Sequence, residues 1–329
     1  MKRKAMFVLG GIFIAFGILY GVLWAASSKT YPIEYGISFN QNHAADLGLN
    51  WKVVYEDMLR ELKPKYVRIA AMWNDVEAVK GQFDFSNVDW MMDKAGEYDA
   101  KIVLVVGQKA PRWPECHVPK WLDPGQLESQ NHLVSYVKKV VEQYKDHKAL
   151  EIWQIENEPF IRFRFGECKN FNSDVVAAEV ELVRDLDPDH KVLITDSGEL
   201  STWRKASKTG DLFGTTMYRI IRRPNGKIFR YDWLPAAAYR WKAKLWGNDL
   251  KDVMIAELQA EPWFTGGTPT STPVAIQEET MNPEQLQKHL EYATKTGFSR
   301  AYLWGVEWWY YMKEVHGDAR YWNAIKEVL

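Results

Sequence analysis

Residues 150–156, "LEIWQIE", are rich in apolar, β-branched and aromatic residues, and lie between two stretches of helical period, "HLVSYVKKVVEQY" (132–144) and "DVVAAEVELVRDL" (174–186). A short strand with helices on both sides cannot reach a chain neighbour through a tight hairpin; it needs a parallel neighbour reached by a crossover. The same unit recurs in both directions along the chain. Candidate strands are 33–39, 66–72, 101–107, 150–156, 191–196, 212–218, 253–257 and 300–305. Helical patterns follow them, among them "WKVVYEDMLREL", "VDWMMDKAGEY", "AAAYRWKAKLWG" and "PEQLQKHLEYATKT", with a weak one near 202–208. Eight such alternations predict a closed (β/α)8 TIM barrel. An open doubly wound sheet is disfavoured: no G-x-G-x-x-G follows the first strand and no G-x-x-x-x-G-K-[ST] occurs.

The 329 residues divide unevenly. After Lys2, Arg3 and Lys4, residues 5–26 carry no charge, and a bilayer-spanning helix needs ~20 apolar residues. Residues 1–29 are therefore expected to form an N-terminal membrane anchor with a cytoplasmic N-terminus, a single-pass transmembrane helix ahead of one catalytic barrel at 30–329. A cleaved signal peptide is the competing reading, but its apolar region is usually only about 7–15 residues, and a cut after Ala26 would put bulky Trp24 at the −3 position. The barrel is then extracytoplasmic, and a monomer is expected. Net charge is −1, which offers no field for nucleic acid.

Barrel chemistry is built where strands end and loops begin. Those ends carry Asn40 and His43, Arg68 with Trp73, Gln108, Asn157-Glu158, Tyr218, Glu257, and Trp304 through Trp309. Glu158 and Glu257 terminate the fourth and seventh strands and are expected to face one bowl. Cleavage of a glycosidic bond needs such a pair, one carboxylic acid to protonate the leaving oxygen and one carboxylate at the anomeric centre. Arg68 is the cation expected to face Glu257. Glu261, four residues on, is the alternative nucleophile.

On Asn157-Glu158 and Glu257 in this eightfold pattern, the chain resembles the retaining glycoside hydrolases of clan A, the "4/7" barrels that include families 5, 10 and 39. The resemblance spans most of residues 31–329. It implies Glu158 as acid/base, Glu257 as nucleophile, Asn157 as donor to the sugar 2-hydroxyl, Arg68 and Tyr218 as partners of the nucleophile, and Trp304 as the floor of the −1 subsite. The third strand departs from the pattern, ending in "VGQKAPRWP" without the histidine often found there in family 5.

Of the 16 tryptophans, Trp73, Trp113, Trp121, Trp263, Trp308 and Trp309 fall in predicted loops. Aromatic faces stack on sugar rings, so Trp73, Trp304 and Trp308 or Trp309 are expected to touch substrate. No cofactor is implied. No metal is expected either, since the seven histidines form no His-x-x-x-His pair and there is no Cys-x-x-Cys. Cys116 and Cys168 lie in the loops after the third and fourth strands, and a disulfide between them is expected. The partner is a β-linked polysaccharide or oligosaccharide. Two other functions share these features: a non-catalytic carbohydrate-binding barrel, and a transglycosylase acting on envelope glycan with the same residues.

Overall fold

The computed structural model describes residues 2–123, 128–162, 166–168 and 171–329; for residues 2–9, 12 and 128 only the backbone is described. Eight strands, β1 (Glu34–Ser38), β2 (Tyr66–Ala70), β3 (Lys101–Val106), β4 (Leu150–Ile155), β5 (Lys191–Asp196), β6 (Leu212–Met217), β7 (Val253–Gln259) and β8 (Arg300–Trp304), pair parallel in chain order, and β8 returns to β1 to close a (β/α)8 barrel.

The two-residue period of a strand decides what fills the interior. One inward layer is apolar, made of Tyr66, Val103, Ile152, Leu193, Leu212, Met254 and Tyr302. β1 contributes Gly36 opposite Tyr302, where a Cβ would come within 2.9 Å of Tyr66 Cβ, so the two tyrosines use the space that glycine leaves. Two residues on, the next layer turns polar with Arg68, Gln154 and Thr195, all fully buried, and Arg68 and Thr195 hydrogen-bond to Glu257 and Glu158 above them. The helices pack outside on the opposite set, including Trp153, Ile155, Val253 and Ile255.

β7 breaks its period where the chemistry needs it. Its register against β6 jumps from Thr215↔Ile255 to Thr216↔Glu257, leaving Ala256 as the extra residue of a bulge. A bulge re-aims the following side chain, and here Glu257 faces the interior next to inward-facing Ala256. The strand also runs two residues beyond its expected end, to Gln259.

Two sequence expectations are corrected by packing. Residues Val306–Val315, expected as a loop, are a helix that buries its aromatic face. Trp308 therefore cannot touch substrate: it has no exposed surface, its indole donates to Gln277 Oε1 at 2.7 Å, and its ring meets Tyr321. Trp309 is equally buried. Trp73 opens the short helix Trp73–Val76, stacks on Tyr136 at 5.4 Å and donates to Glu77 at 2.9 Å, and it too is a core residue. The aromatic residues of these helices have only middling helix propensity, and tertiary burial decides their conformation. A hairpin of Ile220–Arg222 and Ile228–Arg230 after β6 was also not anticipated.

At the N-terminus, Lys2–Ala26 is one helix. Its end is fastened to the barrel: Ala237 N donates to Ser27 Oγ at 2.9 Å and Arg240 Nη2 to Ala26 O at 3.1 Å. Among the described residues no helix is long and apolar enough to cross a membrane; the side chains of residues 5–9 and 12 of the expected span lie outside the described residues.

Glu179, on the helix Val176–Leu186, is 2% exposed, and neither carboxylate oxygen has a hydrogen-bond partner. Burial and then the charge of Glu156 push its pKa well above the usual glutamate range. A folded-state pKa above the unfolded one stabilises the fold below the unfolded value and is lost as pH rises through the folded value. Glu179→Gln is therefore expected to melt progressively higher than the parent as pH rises from about 5 into the alkaline range, by roughly 3 °C or more. Melting curves that stay parallel across that range would contradict it.

Candidate active site

A cleft of about 590 Å³ opens at the C-terminal ends of the strands, lined by Asn157, Glu158, Tyr218, Glu257 and Trp304 together with loop residues. That volume is within the usual range for a small-ligand site.

Glu257 is 3% exposed and both of its oxygens are occupied. Arg68 Nη1 donates to Oε1 at 3.0 Å and the Tyr218 hydroxyl to Oε2 at 2.7 Å. Arg68 is itself fixed by Gln154 Oε1 at 2.8 Å and Asn157 Oδ1 at 2.9 Å. A guanidinium has no acceptor, so the Asn157 oxygen must face it, leaving the Asn157 amide hydrogens for the cleft. Burial, followed by the charge of Glu257, pushes the Tyr218 phenol well above its ordinary pKa, which keeps it a donor. Tyr218→Phe removes one hydrogen bond to a charged group, and kcat/KM is expected to fall about 10- to 100-fold with little change in Tm. A change under about twofold would remove Tyr218 from the site.

Glu158 has different surroundings. It sits at φ 45, and Glu156 two residues before it at φ 58, both in the left-handed region that costs non-glycine residues about 1–3 kcal/mol. The neighbours over-determine this turn. The Glu156 carboxylate accepts from the backbone N–H of Gln108 at 2.7 Å and Lys109 at 2.5 Å, and Glu158 N donates to Thr195 Oγ1 at 3.0 Å. Gly107 must be glycine, since a Cβ there would lie 2.5 Å from the Glu156 carboxyl carbon. The Glu158 side chain accepts from Thr216 Oγ1 at 3.0 Å, and Thr216 is the register partner of Glu257, which brings the two carboxylates to adjacent positions on the cleft wall. Solvent reaches Glu158 through the cleft mouth, yet burial, then the charges of Glu257 and Glu115, push its pKa well above the ordinary glutamate value.

Trp304 is 7% exposed and carries the Arg112 guanidinium 4.1 Å above its ring. Arg112 pairs with Glu261 through both oxygens and with Glu307 at 2.8 Å. Glu261, the alternative nucleophile, is therefore committed to an arginine beside the cleft, whereas Glu257 faces Glu158. His43, Glu261 and Glu307 offer ligand atoms within 4.8 Å of one another, but Arg112 already supplies the cation between the two carboxylates. Burial and the Arg112 charge hold His43 well below its usual pKa. Cys116 and Cys168 form a disulfide with Cα atoms 5.0 Å apart, joining the loops after β3 and β4.

Four contributors were not found in the sequence: Arg112, Glu115, Glu156 and Glu199. Glu199 lines the cleft and accepts from Tyr218 N at 3.2 Å and the Tyr239 hydroxyl at 2.5 Å. Glu156 lies in the "EIWQIENE" stretch, and its place beside Glu158 was the only available signal.

An eight-stranded parallel barrel with two carboxylates at the ends of β4 and β7 defines a class of sugar-processing barrels. Residues 53–215 match glycosyl hydrolase family 10. The chain is similar to the β-galactosidase Pbg of Clostridium perfringens, 28% identical over 154 residues (40% of this chain and 22% of that one), and to a probable mannan endo-1,4-β-mannosidase F of Aspergillus oryzae, 27% identical over 180 residues (54% and 33%). It thus spans a third or less of the length of these curated relatives. Among solved structures, the β-galactosidase of Rahnella sp. R3 superposes with a TM-score of 0.61 at 12% identity, covering 92% of this chain and 56% of that one. The xylanase TsXylA of Thermoanaerobacterium saccharolyticum gives 0.54 at 17% identity, with 86% and 88% covered. These likenesses are all to glycoside hydrolases, and the barrel they share is the clan A fold.

Proposed function

We propose that the protein cleaves a β-linked glycan with retention of anomeric configuration, by double displacement. Glu257 attacks the anomeric carbon while Glu158 protonates the departing oxygen; Glu158 then takes a proton from the water that releases the sugar from Glu257. The observation that carries this reading is the contrast between the two carboxylates. Glu257 is held by a guanidinium and a phenol, whereas the Glu158 carboxyl has a threonine hydroxyl as its partner and two negative neighbours that favour its protonated form. Asn157 and Trp304 bind the sugar between them. Proton NMR of the first product formed tests the stereochemistry: a β-anomer appearing first supports retention, an α-anomer overturns it.

The same reading places the barrel outside the cytoplasm, anchored as a monomer by the N-terminal helix. Phe13, Ile14, Phe16, Ile18 and Val22 on that helix are 47–72% exposed, an apolar surface that a bilayer satisfies and water does not. A disulfide fits an oxidising compartment. Both carboxylates come from one chain, so a monomer suffices. Alkaline carbonate extraction and protease treatment of intact cells test it; a carbonate-soluble or protease-protected barrel is the contrary result.

A further inference from the structure

The loop after β3 delivers a third carboxylate to the cleft, Glu115, which double displacement does not use. The loop is pinned from several sides. Glu115 N donates to Arg112 O at 2.8 Å, its carbonyl accepts from Ala110 N at 2.9 Å, and Glu167 N from the facing loop donates to Pro114 O at 2.9 Å. Cys116, the next residue, is bonded to Cys168. Gly166 lies flat against the side chain, where a Cβ would meet Glu115 Cγ at 2.7 Å. These contacts hold Glu115 at φ 74, another left-handed glutamate. Its carboxyl reaches the Asn157 amide and lies close enough to Glu257 for the two charges to act on each other.

On the double-displacement reading, this position lies beside the anomeric carbon that Glu257 would attack. That carbon has three heavy-atom neighbours: the ring oxygen, the leaving oxygen and C2. Both oxygens only accept hydrogen bonds, so a carboxylate gains nothing from them. The substituent on C2 is the nearest group that can donate.

Charge selects among C2 substituents. Among the described residues, Asp46, Glu115, Glu199, Glu257 and Glu261 line the cleft beside the acid Glu158; of the basic side chains there, His43 is held well below its usual pKa by burial and Arg112, and Arg112 is shared between Glu261 and Glu307. Arg68 beneath is paired with Glu257. Lys109 donates to the Glu158 carbonyl at 3.3 Å and lowers the Glu115 pKa, but burial outweighs it and holds that pKa at about 7. The wall therefore carries more negative than positive charge, which repels uronate or sulfated sugars and favours a cation.

Resting on the clan A reading and on Glu257 as nucleophile, we propose that Glu115 binds the C2 substituent of the sugar facing Glu257 and prefers a free ammonium there, so that the substrate class is a β-linked glycan of 2-amino sugars without N-acetyl groups. An acetamido group replaces three N–H donors with one and adds bulk against a loop pinned by Gly166 and the disulfide.

Calorimetric titration of the full chain carrying Glu257→Gln, at neutral pH, tests binding without turnover. The probes are a glucosamine oligosaccharide, its N-acetylated counterpart and a cello-oligosaccharide of equal length. The glucosamine oligomer is expected to bind about 10-fold or more tightly than the cello-oligomer, the size of one charge-assisted hydrogen bond, and the N-acetylated oligomer more weakly than either. Adding Glu115→Gln is expected to erase that preference, and an unchanged melting temperature shows that the fold is intact. Equal affinity for the two unacetylated oligomers, or a preference that survives Glu115→Gln, overturns the proposal. Turnover of neutral aryl β-glycosides by the unaltered chain without an amino-sugar preference sinks this inference and leaves the hydrolase reading standing. Amino-sugar preference in binding without turnover of any glycoside does the reverse.

Discussion

Replacing Glu257 with glutamine is expected to lower kcat by roughly five orders of magnitude on every glycoside, whatever its leaving group. The side chain keeps its length, its amide oxygen still accepts from Arg68, and its amide N–H can donate to the Tyr218 hydroxyl in place of the bond that hydroxyl gave, so substrate binding is expected to survive. What is lost is the electron pair that forms the bond to the anomeric carbon. Removing one partner of a buried ion pair is costly when the other is stranded. Arg68 retains Gln154, Asn157 and the Ala256 carbonyl as acceptors, so Tm is expected to fall by only a few degrees. Glu257→Gly with azide gives the second readout: azide entering from the vacated side yields an α-glycosyl azide. Residual hydrolysis by Glu257→Gln within about 100-fold of the parent, or a β-glycosyl azide from Glu257→Gly, would remove Glu257 from the nucleophile role.

Glu158→Ala is expected to separate substrates by leaving group. Polysaccharide turnover is expected to drop about 10²- to 10⁴-fold, the usual worth of a general acid. Aryl glycosides whose phenolate departs unprotonated are expected to keep their rate of glycosylation. The pH profile supplies an independent check. Burial and the nearby charges of Glu257 and Glu115 raise the pKa of Glu158, so the active, protonated form persists to higher pH than for an ordinary glutamate, and activity on glycans falls as pH rises through that value. The alkaline fall is expected to vanish in Glu158→Ala acting on activated aryl glycosides. Equal losses on both substrate types, or an unchanged alkaline limb, would reassign the acid.

The eight strands could be read from the sequence because each is a short β-branched run between helical periods, and that pattern has few parallel solutions. Asn157-Glu158 and Glu257 could be located because a barrel directs strand ends to one mouth. The aromatic residues misled where exposure was inferred from apparent loop position. "VEWWYYM" is dominated by aromatic residues of middling helix propensity, so the helix that buries Trp308 and Trp309 leaves little local trace, and Trp73 met the same fate against Tyr136. Nothing in the spacing of Arg112, Glu115 or Glu199 marks them, because each comes from a loop whose course is set by residues distant in the chain.

The sequence alone determined the number, order and direction of the strands, and with them the face on which two glutamates separated by a long stretch of chain come together. Periodicity is a local property that one strand or helix expresses by itself. The tertiary structure alone decided which way those glutamates point and what surrounds them. The bulge at Ala256 turns Glu257 inward, the left-handed turn holds Glu158 against Thr195 and Thr216, and the Cys116–Cys168 link seats Glu115 between two loops. Each of these depends on register and on contacts between elements far apart in sequence, and the ionisation of a carboxyl follows from that enclosure.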